Sequence, residues 1–188
     1  MKKIVITGGL GYIGTELCKI YSGVSWNKKI TVIDNRFISE RVNQIRNWNM
    51  NFVQGDILDK ELMKKLCKDA DVVHHLAGIT DVPRTKSDRN DTKDNAIKIV
   101  AEEGTQNILD AIKDNCKIIF PSTHVVYEGV EKVQLEILED EELKPILSYS
   151  NSKAFNEKQL KNSGKNYIIL RLGSVYGYST DSARMDIM

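Results

Sequence analysis

Short apolar runs alternate along the chain with longer stretches in which apolar residues recur every three or four positions. The short runs are rich in Ile and Val and predict six strands, at Lys3–Thr7, Lys29–Ile33, Asn51–Val53, Asp71–His74, Lys117–Phe120 and Asn166–Leu170. The longer stretches predict helices at Tyr12–Tyr21, Glu40–Arg46, Lys60–Leu66, Asp94–Lys113 and Ser148–Asn162. This alternation is typical of βαβ units. We therefore expect an α/β fold with a doubly wound parallel sheet, in the order 3-2-1-4-5-6, flanked by helices.

Length, charge and cysteine content limit the kinds of molecule that this protein is expected to bind. The 188 residues are enough for one domain with a substantial core, and the formal net charge is only +1. No overall charge therefore favours nucleic acid or a membrane surface, and no apolar stretch approaches the roughly 20 residues that span a bilayer. Three widely spaced cysteines, Cys18, Cys67 and Cys116, do not suggest a disulfide framework. A cytoplasmic protein that binds a small molecule is expected.

The first predicted strand runs directly into the glycine-rich segment TGGLGYIG, residues 7–14. Gly8, Gly11 and Gly14 could give a tight turn, a close approach of the backbone to a pyrophosphate, and close packing of helix on sheet. The helix that starts near Tyr12 would direct its N–H groups at the phosphates. Such glycine spacing is a weak signal alone, but its position after the first strand predicts a dinucleotide-binding, Rossmann-type fold.

The second predicted strand leads into Asp34, which is placed to accept hydrogen bonds from the adenosine ribose. A carboxylate there would repel a 2′-phosphate, so NAD is favoured over NADP, although the nearby Arg36 could weaken that preference. The alternative is a surface aspartate that caps a turn with Asn35. Asp56, after the third strand, is placed to meet the adenine edge.

Tyr149 and Lys153 are four residues apart in a predicted helix and so share one face of it. A free tyrosine has a pKa of about 10 and is a poor base at neutral pH. A neighbouring ammonium group lowers the pKa of a phenol and makes it a better base. Beside a dinucleotide, this pair predicts hydride chemistry on an alcohol or a ketone. Taken alone, the spacing also fits an exposed helix pair.

Seven segments follow one another in the order seen in extended short-chain dehydrogenase/reductases: TGGLGYIG, VIDN, GDI, HHLAG, PSTHVVY, YSNSK and LRLGSVYG. From Met1 to about Gly177, the chain most resembles the NAD-dependent sugar-nucleotide epimerase/dehydratase branch. The resemblance implies NAD contacts from Gly8, Gly11, Tyr12, Ile13, Asp34, Asn35, Asp56, Ile57, Leu76, Ala77, Gly78, Tyr149 and Lys153. It implies Thr123, Tyr149 and Lys153 as catalytic residues, and Thr80, Thr123 and His124 on the substrate side.

The resemblance implies an NAD-dependent epimerase that oxidises a nucleotide-linked sugar transiently to a keto intermediate. Tyr149 would be the base, assisted by Lys153 and Thr123. His124 and Val125 follow Thr123 where dehydratases of the family carry Asp-Glu, which argues against sugar dehydration. The alternatives are an NAD-dependent reductase or dehydrogenase of another carbonyl compound, and a non-catalytic module that binds or senses NAD.

Domain organisation and partners complete the expectations. Residues 1–177 are predicted to form the NAD-binding domain, and residues 178–188 the truncated start of a substrate-binding region whose lobe is largely missing. The resemblance implies a homodimer through helices 94–113 and 148–162, with a nucleotide sugar as substrate. The three histidines, His74, His75 and His124, show no metal-ligand spacing, so no metal site is predicted.

Overall fold

The computed structural model describes residues 1–80, 91–131 and 136–177. The six strands are β1 (Lys2–Thr7), β2 (Lys28–Asp34), β3 (Asn51–Gln54), β4 (Val72–His75), β5 (Lys117–Thr123) and β6 (Asn166–Leu172). Within these described ranges, the five α-helices are α1 (Tyr12–Ser22), α2 (Ser39–Asn47), α3 (Lys60–Cys67), α4 (Asp91–Ala111) and α5 (Ser148–Asn162). A short 3₁₀ helix at His124–Tyr127 follows β5.

The strands form one parallel sheet in the order β3-β2-β1-β4-β5-β6, which confirms the predicted fold and strand order. The chain winds outward from β1 to β3 in one direction and from β4 to β6 in the other. At the carboxyl ends of β1 and β4, Thr7 pairs with His75. Ligands of open α/β sheets bind at this switch point, so the fold itself places a candidate site there.

Side chains of the central strands point alternately to the two faces of the sheet, and they pack into two separate apolar cores, one on each face. On one face, Val5 and Val73 pack with residues of α3, α4 and α5 such as Met63, Ile108 and Leu160. On the other face lies a core with α1 and α2, formed by Ile4, Ile6, Leu10, Cys18, Ile30, Val32, Val42, Ile45 and Met50. The central strands are buried on both faces, which explains their continuous runs of Ile and Val.

Most element bounds differ from the predicted ones by only a few residues. The strand predicted to end at Phe120 continues through Pro121 to Thr123, because Pro121 pairs with Leu170 of β6 although it lacks a backbone donor. This extension carries Thr123 to the carboxyl edge of the sheet. The predicted boundary at residues 178–188 lies outside the described residues. In the part that the structure describes, no helix is long and apolar enough to cross a membrane.

Candidate functional site

The glycine loop between β1 and α1 is shaped by positions that exclude side chains. Gly8 has a φ of +67°, and a Cβ there would lie 2.6 Å from the backbone nitrogen of Ala77. A Cβ on Gly14 would lie 2.5 Å from the carbonyl oxygen of Gly8. Gly11 caps α1 without any side-chain hydrogen bond. The first-turn N–H groups of α1 are therefore left to bind an anion at the carboxyl edge of the sheet.

Asp34 closes β2 with its carboxylate turned back toward the glycine loop. Its Oδ2 accepts a 3.0 Å hydrogen bond from the Leu10 N–H, and its Oδ1 accepts bonds from the Arg36 N–H at 3.0 Å and from Arg36 Nε at 3.2 Å. The Asp34 side chain is buried, whereas that of Arg36 is about half exposed. The Asp34 carboxylate therefore braces local backbone and is not the surface group of the alternative, and its contact with an adenosine ribose stays a prediction.

Asn35 and Asp56 join the ends of β2 and β3. Asn35 Nδ2 donates to Asp56 Oδ2 at 3.0 Å, and Asp56 Oδ1 accepts from the Leu58 N–H at 3.0 Å. The two hydrogen bonds fix the Asp56 carboxylate in one orientation. The outer end of the cleft is thus bounded by two carboxylates, those of Asp34 and Asp56.

A buried hydrogen-bonded chain lies beneath the loop that follows β4. The Ala77 N–H donates to Thr7 Oγ1 at 3.2 Å, Thr7 Oγ1 lies 3.0 Å from His75 Nδ1, and His75 Nε2 lies 3.0 Å from Thr105 Oγ1 of α4. Burial, with a smaller effect from Lys153, lowers the pKa of His75 to about 3. His75 is therefore neutral, and it positions the Leu76–Gly78 segment without adding a charge beneath Lys153.

Thr123, Tyr149 and Lys153 meet where β5 and α5 approach each other. Lys153 Nζ donates to the Pro121 carbonyl at 2.9 Å and lies 4.5 Å from the Phe120 ring centroid and 5.9 Å from the Tyr149 ring centroid. Burial lowers the pKa of Lys153 to about 8. Thr123 Oγ1 accepts a 3.3 Å hydrogen bond from the Val125 N–H. The arrangement places an ammonium group, a phenol and a hydroxyl at one edge of the sheet.

Buried polar contacts hold α5 at this position. Glu157, one turn after Lys153, accepts hydrogen bonds from Ser122 at 2.6 Å and from Arg171 of β6 at 2.8 to 3.3 Å. Asn156 Nδ2 donates to the Ala101 carbonyl of α4 at 2.8 Å. These bonds tie α5 to β5, β6 and α4. The spacing between Thr123 and Tyr149 is thereby fixed by three neighbouring elements.

A single cleft of about 630 Å³ joins the glycine loop to the Tyr149 region. Every site residue predicted from the sequence lines it, including Thr80 and His124, and their individual roles stay predictions. Five further residues that line the cleft were not predicted from the sequence as site residues: Val100, Glu128, Leu147, Ser150 and Leu172. Glu128 carried a usable signal, because an acidic residue directly follows the PSTHVVY segment. Among the described residues, no group of His, Cys, Asp and Glu could hold a metal ion.

The family model of the NAD dependent epimerase/dehydratase family matches residues 4–187. The chain belongs to this family. It is 30% identical over 199 residues to the dTDP-D-glucose 4,6-dehydratase of Dictyostelium discoideum, covering 94% of this chain and 44% of that protein. The chain spans 38% to 54% of the length of the first curated relatives it matches.

Two solved structures show how close the likeness is in three dimensions. UDP-glucose 4-epimerase from Brucella ovis in complex with NAD has a TM-score of 0.76 and 26% identity, covering 95% of this chain and 54% of that one. UDP-glucuronic acid 4-epimerase from Bacillus cereus, in complex with UDP-glucuronic acid and NAD, has a TM-score of 0.71 and 27% identity, covering 90% and 55%. The family is NAD-dependent, and the glycine cradle and the cleft described above fit a dinucleotide.

Proposed function

We propose that this chain is the NAD-binding part of an epimerase that acts on a nucleotide-linked sugar. The observation that carries the proposal is the joint placement of Thr123, Tyr149 and Lys153 in the cleft that begins at the glycine loop. When bound, NAD would accept a hydride from a sugar carbon and return it to the opposite face. The chain spans only about half the length of the relatives it matches. We therefore propose activity on a sugar for the whole protein.

The glycine loop and the end of β2 would hold the adenosine half of the cofactor. The open N-terminus of α1 suits a pyrophosphate, since its N–H groups lack a side-chain cap. Asp34 Oδ2 accepts only one hydrogen bond from the described residues, so it can accept another from a ribose hydroxyl. Leu76, Ala77 and Gly78, positioned through Thr7 and His75, would line the path toward the nicotinamide.

Tyr149, Thr123 and Lys153 would handle the proton. The phenolic oxygen of Tyr149 would take the proton of the sugar hydroxyl. It would return the proton after the keto intermediate has rotated to present its other face. The Lys153 ammonium, 5.9 Å from the Tyr149 ring centroid, would stabilise the phenolate. Thr123 Oγ1 accepts from Val125, which leaves its hydrogen to donate to the reacting oxygen. His124 and Val125 after Thr123 support epimerisation over dehydration.

The test is turnover by the whole protein with NAD and a panel of nucleotide sugars that includes UDP-glucose. We expect an epimer to form without net NADH, and Tyr149→Phe to lower the rate by about 10²- to 10⁴-fold. Tyr167→Phe, on the edge strand β6, should leave the rate unchanged. Net NADH accumulation would support the reductase alternative instead. NAD binding without turnover of any sugar would support a non-catalytic module.

We also propose that the chain forms a homodimer through α4 and α5. The two helices pack side by side, and a groove of about 470 Å³ runs along their outer surface. Phe155 lies in this groove with 41% of its surface exposed, beside Leu109 and Gln159. Two such helix pairs would bury these side chains as a four-helix contact.

The three buried cysteines are free thiols, which fits our proposal of a reducing, cytoplasmic environment.

A further inference from the structure

Glu128 follows the 3₁₀ helix after β5, and its carboxylate lies at the start of α5. One oxygen, Oε1, accepts hydrogen bonds from the backbone N–H groups of Ile146 and Leu147, each at 2.7 Å, and from the Ser150 hydroxyl. The N-cap of α5, Leu147, provides no side-chain hydrogen bond of its own. Glu128 therefore supplies, from another segment of the chain, the half of a capping box in which a carboxylate accepts the N–H of the N-cap residue.

The same carboxylate lines the cleft, beside Leu147, Tyr149 and Ser150. Partial burial alone would raise the pKa of Glu128, but the hydrogen bonds from Ser150, Leu147 and Ile146 outweigh it and hold the pKa below its usual value. The group is thus a fixed anion at neutral pH. No described residue donates a hydrogen bond to its second oxygen, Oε2, which remains an acceptor.

The charges around Glu128 decide what it can accept. Among the described cleft residues, the cations at neutral pH are Arg36, which is paired with Asp34 at the adenosine end, and Lys153, whose pKa is lowered to about 8 and whose ammonium is bonded to Pro121. The remaining titratable groups besides Glu128 are His124, Asp34, Asp56, Tyr12 and Tyr149. Near Tyr149, the described residues of the cleft therefore offer the fixed Glu128 carboxylate and one cation, the Lys153 ammonium, which is buried and already bonded to the Pro121 carbonyl.

We propose that Glu128 selects uncharged hexoses over hexuronates in the sugar subsite, by accepting a hydrogen bond from a sugar hydroxyl and repelling a sugar carboxylate. The proposal rests on the proposed function and names its substrate class. Two carboxylates about 6 Å apart at an effective dielectric constant of about 20 repel each other enough to change relative affinity by about a hundredfold.

The experiment compares UDP-glucose with UDP-glucuronic acid on the whole protein loaded with NAD, by calorimetry and by kcat/KM for epimer formation. The protein should favour UDP-glucose by at least about tenfold. Glu128→Gln keeps an acceptor oxygen for the α5 backbone but removes the charge, so this preference should fall by at least about tenfold. Glu142→Gln, at an exposed position outside the cleft, should leave the preference unchanged.

A cap without a selective role gives a different result. If Glu128 only caps α5, Glu128→Gln will change both sugars by the same factor, and an unchanged ratio overturns the proposal. Ser150→Ala weakens the same cap while keeping the charge, and it should lower the melting temperature with the ratio retained. Equal affinity of the unmodified protein for both sugars, or no affinity for either, also overturns it. Loss of NAD binding itself would count against the proposed function rather than against Glu128.

Discussion

Lys153 is an ammonium-bearing side chain with only 8% of its surface exposed. Its pKa is lowered by burial from 10.5 to about 8. Between these pH values the unfolded chain binds a proton that the folded chain lacks, so the free energy of unfolding rises with pH across this window. Below pH 8 the buried charge is retained at a cost to stability.

Replacement of Lys153 by Met should therefore change the pH dependence of stability. At pH 7 the variant should be at least as stable as the parent chain, although it loses the bond to Pro121. Its relative advantage should shrink by up to about 3 kcal/mol between pH 8 and 10. Urea unfolding at pH 7, 8.5 and 10 measures the difference, with the exposed Lys64→Met as control. A difference that stays constant with pH would contradict the expectation.

Arg36 lies at the proposed adenosine end of the cleft, where its Nε lies 3.2 Å from Asp34 Oδ1. If the ribose binds at Asp34 as proposed, Arg36 would place a cation next to a 2′-phosphate and partly offset the repulsion from Asp34. Arg36→Ala should weaken NADP binding by about tenfold and change NAD binding less than about threefold. Titration with both dinucleotides tests this, and Arg46→Ala on α2 is the matched control. If the ratio of NAD affinity to NADP affinity is unchanged in Arg36→Ala, Arg36 does not contribute to the choice between the two cofactors.

At the scale of elements, the turn from β1 into α1 depends on backbone atoms that nearly touch. Gly14→Ala would place a Cβ 2.5 Å from the Gly8 carbonyl and 2.6 Å from Gly9 Cα, which are backbone atoms that cannot rotate away. We expect a loss of about 1–3 kcal/mol in stability and at least about tenfold in NAD affinity. Gly23→Ala, with its nearest atom 3.6 Å away, should be neutral in both denaturation and NAD titration.

The contact between α5 and β6 depends on Glu157, which is fully buried and paired with Arg171. Burial raises the pKa of Glu157, but hydrogen bonds from Arg171 and Ser122 and the charges of Arg171 and Lys161 outweigh it, so the pKa is lowered. Its contribution to stability is present above pH 4.5 and is lost as the pH falls below that value.

Glu157→Gln should cost about 3 kcal/mol in stability at pH 7, because it leaves the Arg171 charge without its counter-ion. The loss should diminish in acid, where Glu157 of the parent chain also becomes protonated. Asp114→Asn, which removes an exposed carboxylate paired with Lys165, should destabilise the protein much less. Chemical denaturation of the three proteins at pH 7 and pH 3.5 decides between these outcomes.

The elements that could be predicted are those whose cause is local in sequence. The six strands follow from apolar runs, and Gly8, Gly11 and Gly14 follow from their spacing directly after β1. What could not be predicted depends on distant partners. The extension of β5 beyond Phe120 needs β6 to accept Pro121, and the cap of α5 by Glu128 spans 18 to 22 residues of sequence. The sequence shows that Arg36 and Asp34 are two residues apart. Predicting that their side chains pair would have required the side-chain geometry.

At the scale of the whole molecule, the proposed dimer can be tested at one side chain. Phe155→Glu would place a charge in the groove between α4 and α5 and should convert a dimer to a monomer. Ile20→Glu, on the exposed side of α1, should leave the assembly unchanged. Light scattering gives the mass of each variant, and NAD titration checks that the cleft is intact. A monomeric parent chain would end the proposal.

Each of the two apolar cores contains at least one buried thiol, so the rate at which a reagent labels that thiol reports how often the core opens. Cys18 lies in the core with α1 and α2, and Cys67 and Cys116 lie in the core with α3, α4 and α5. Burial raises their pKa values to about 12, about 12 and about 11, so none reacts readily while folded. Labelling rates can therefore compare the opening of the two layers. Where labelling requires global unfolding, NAD at a hundred times its Kd should slow all three rates by about a hundredfold.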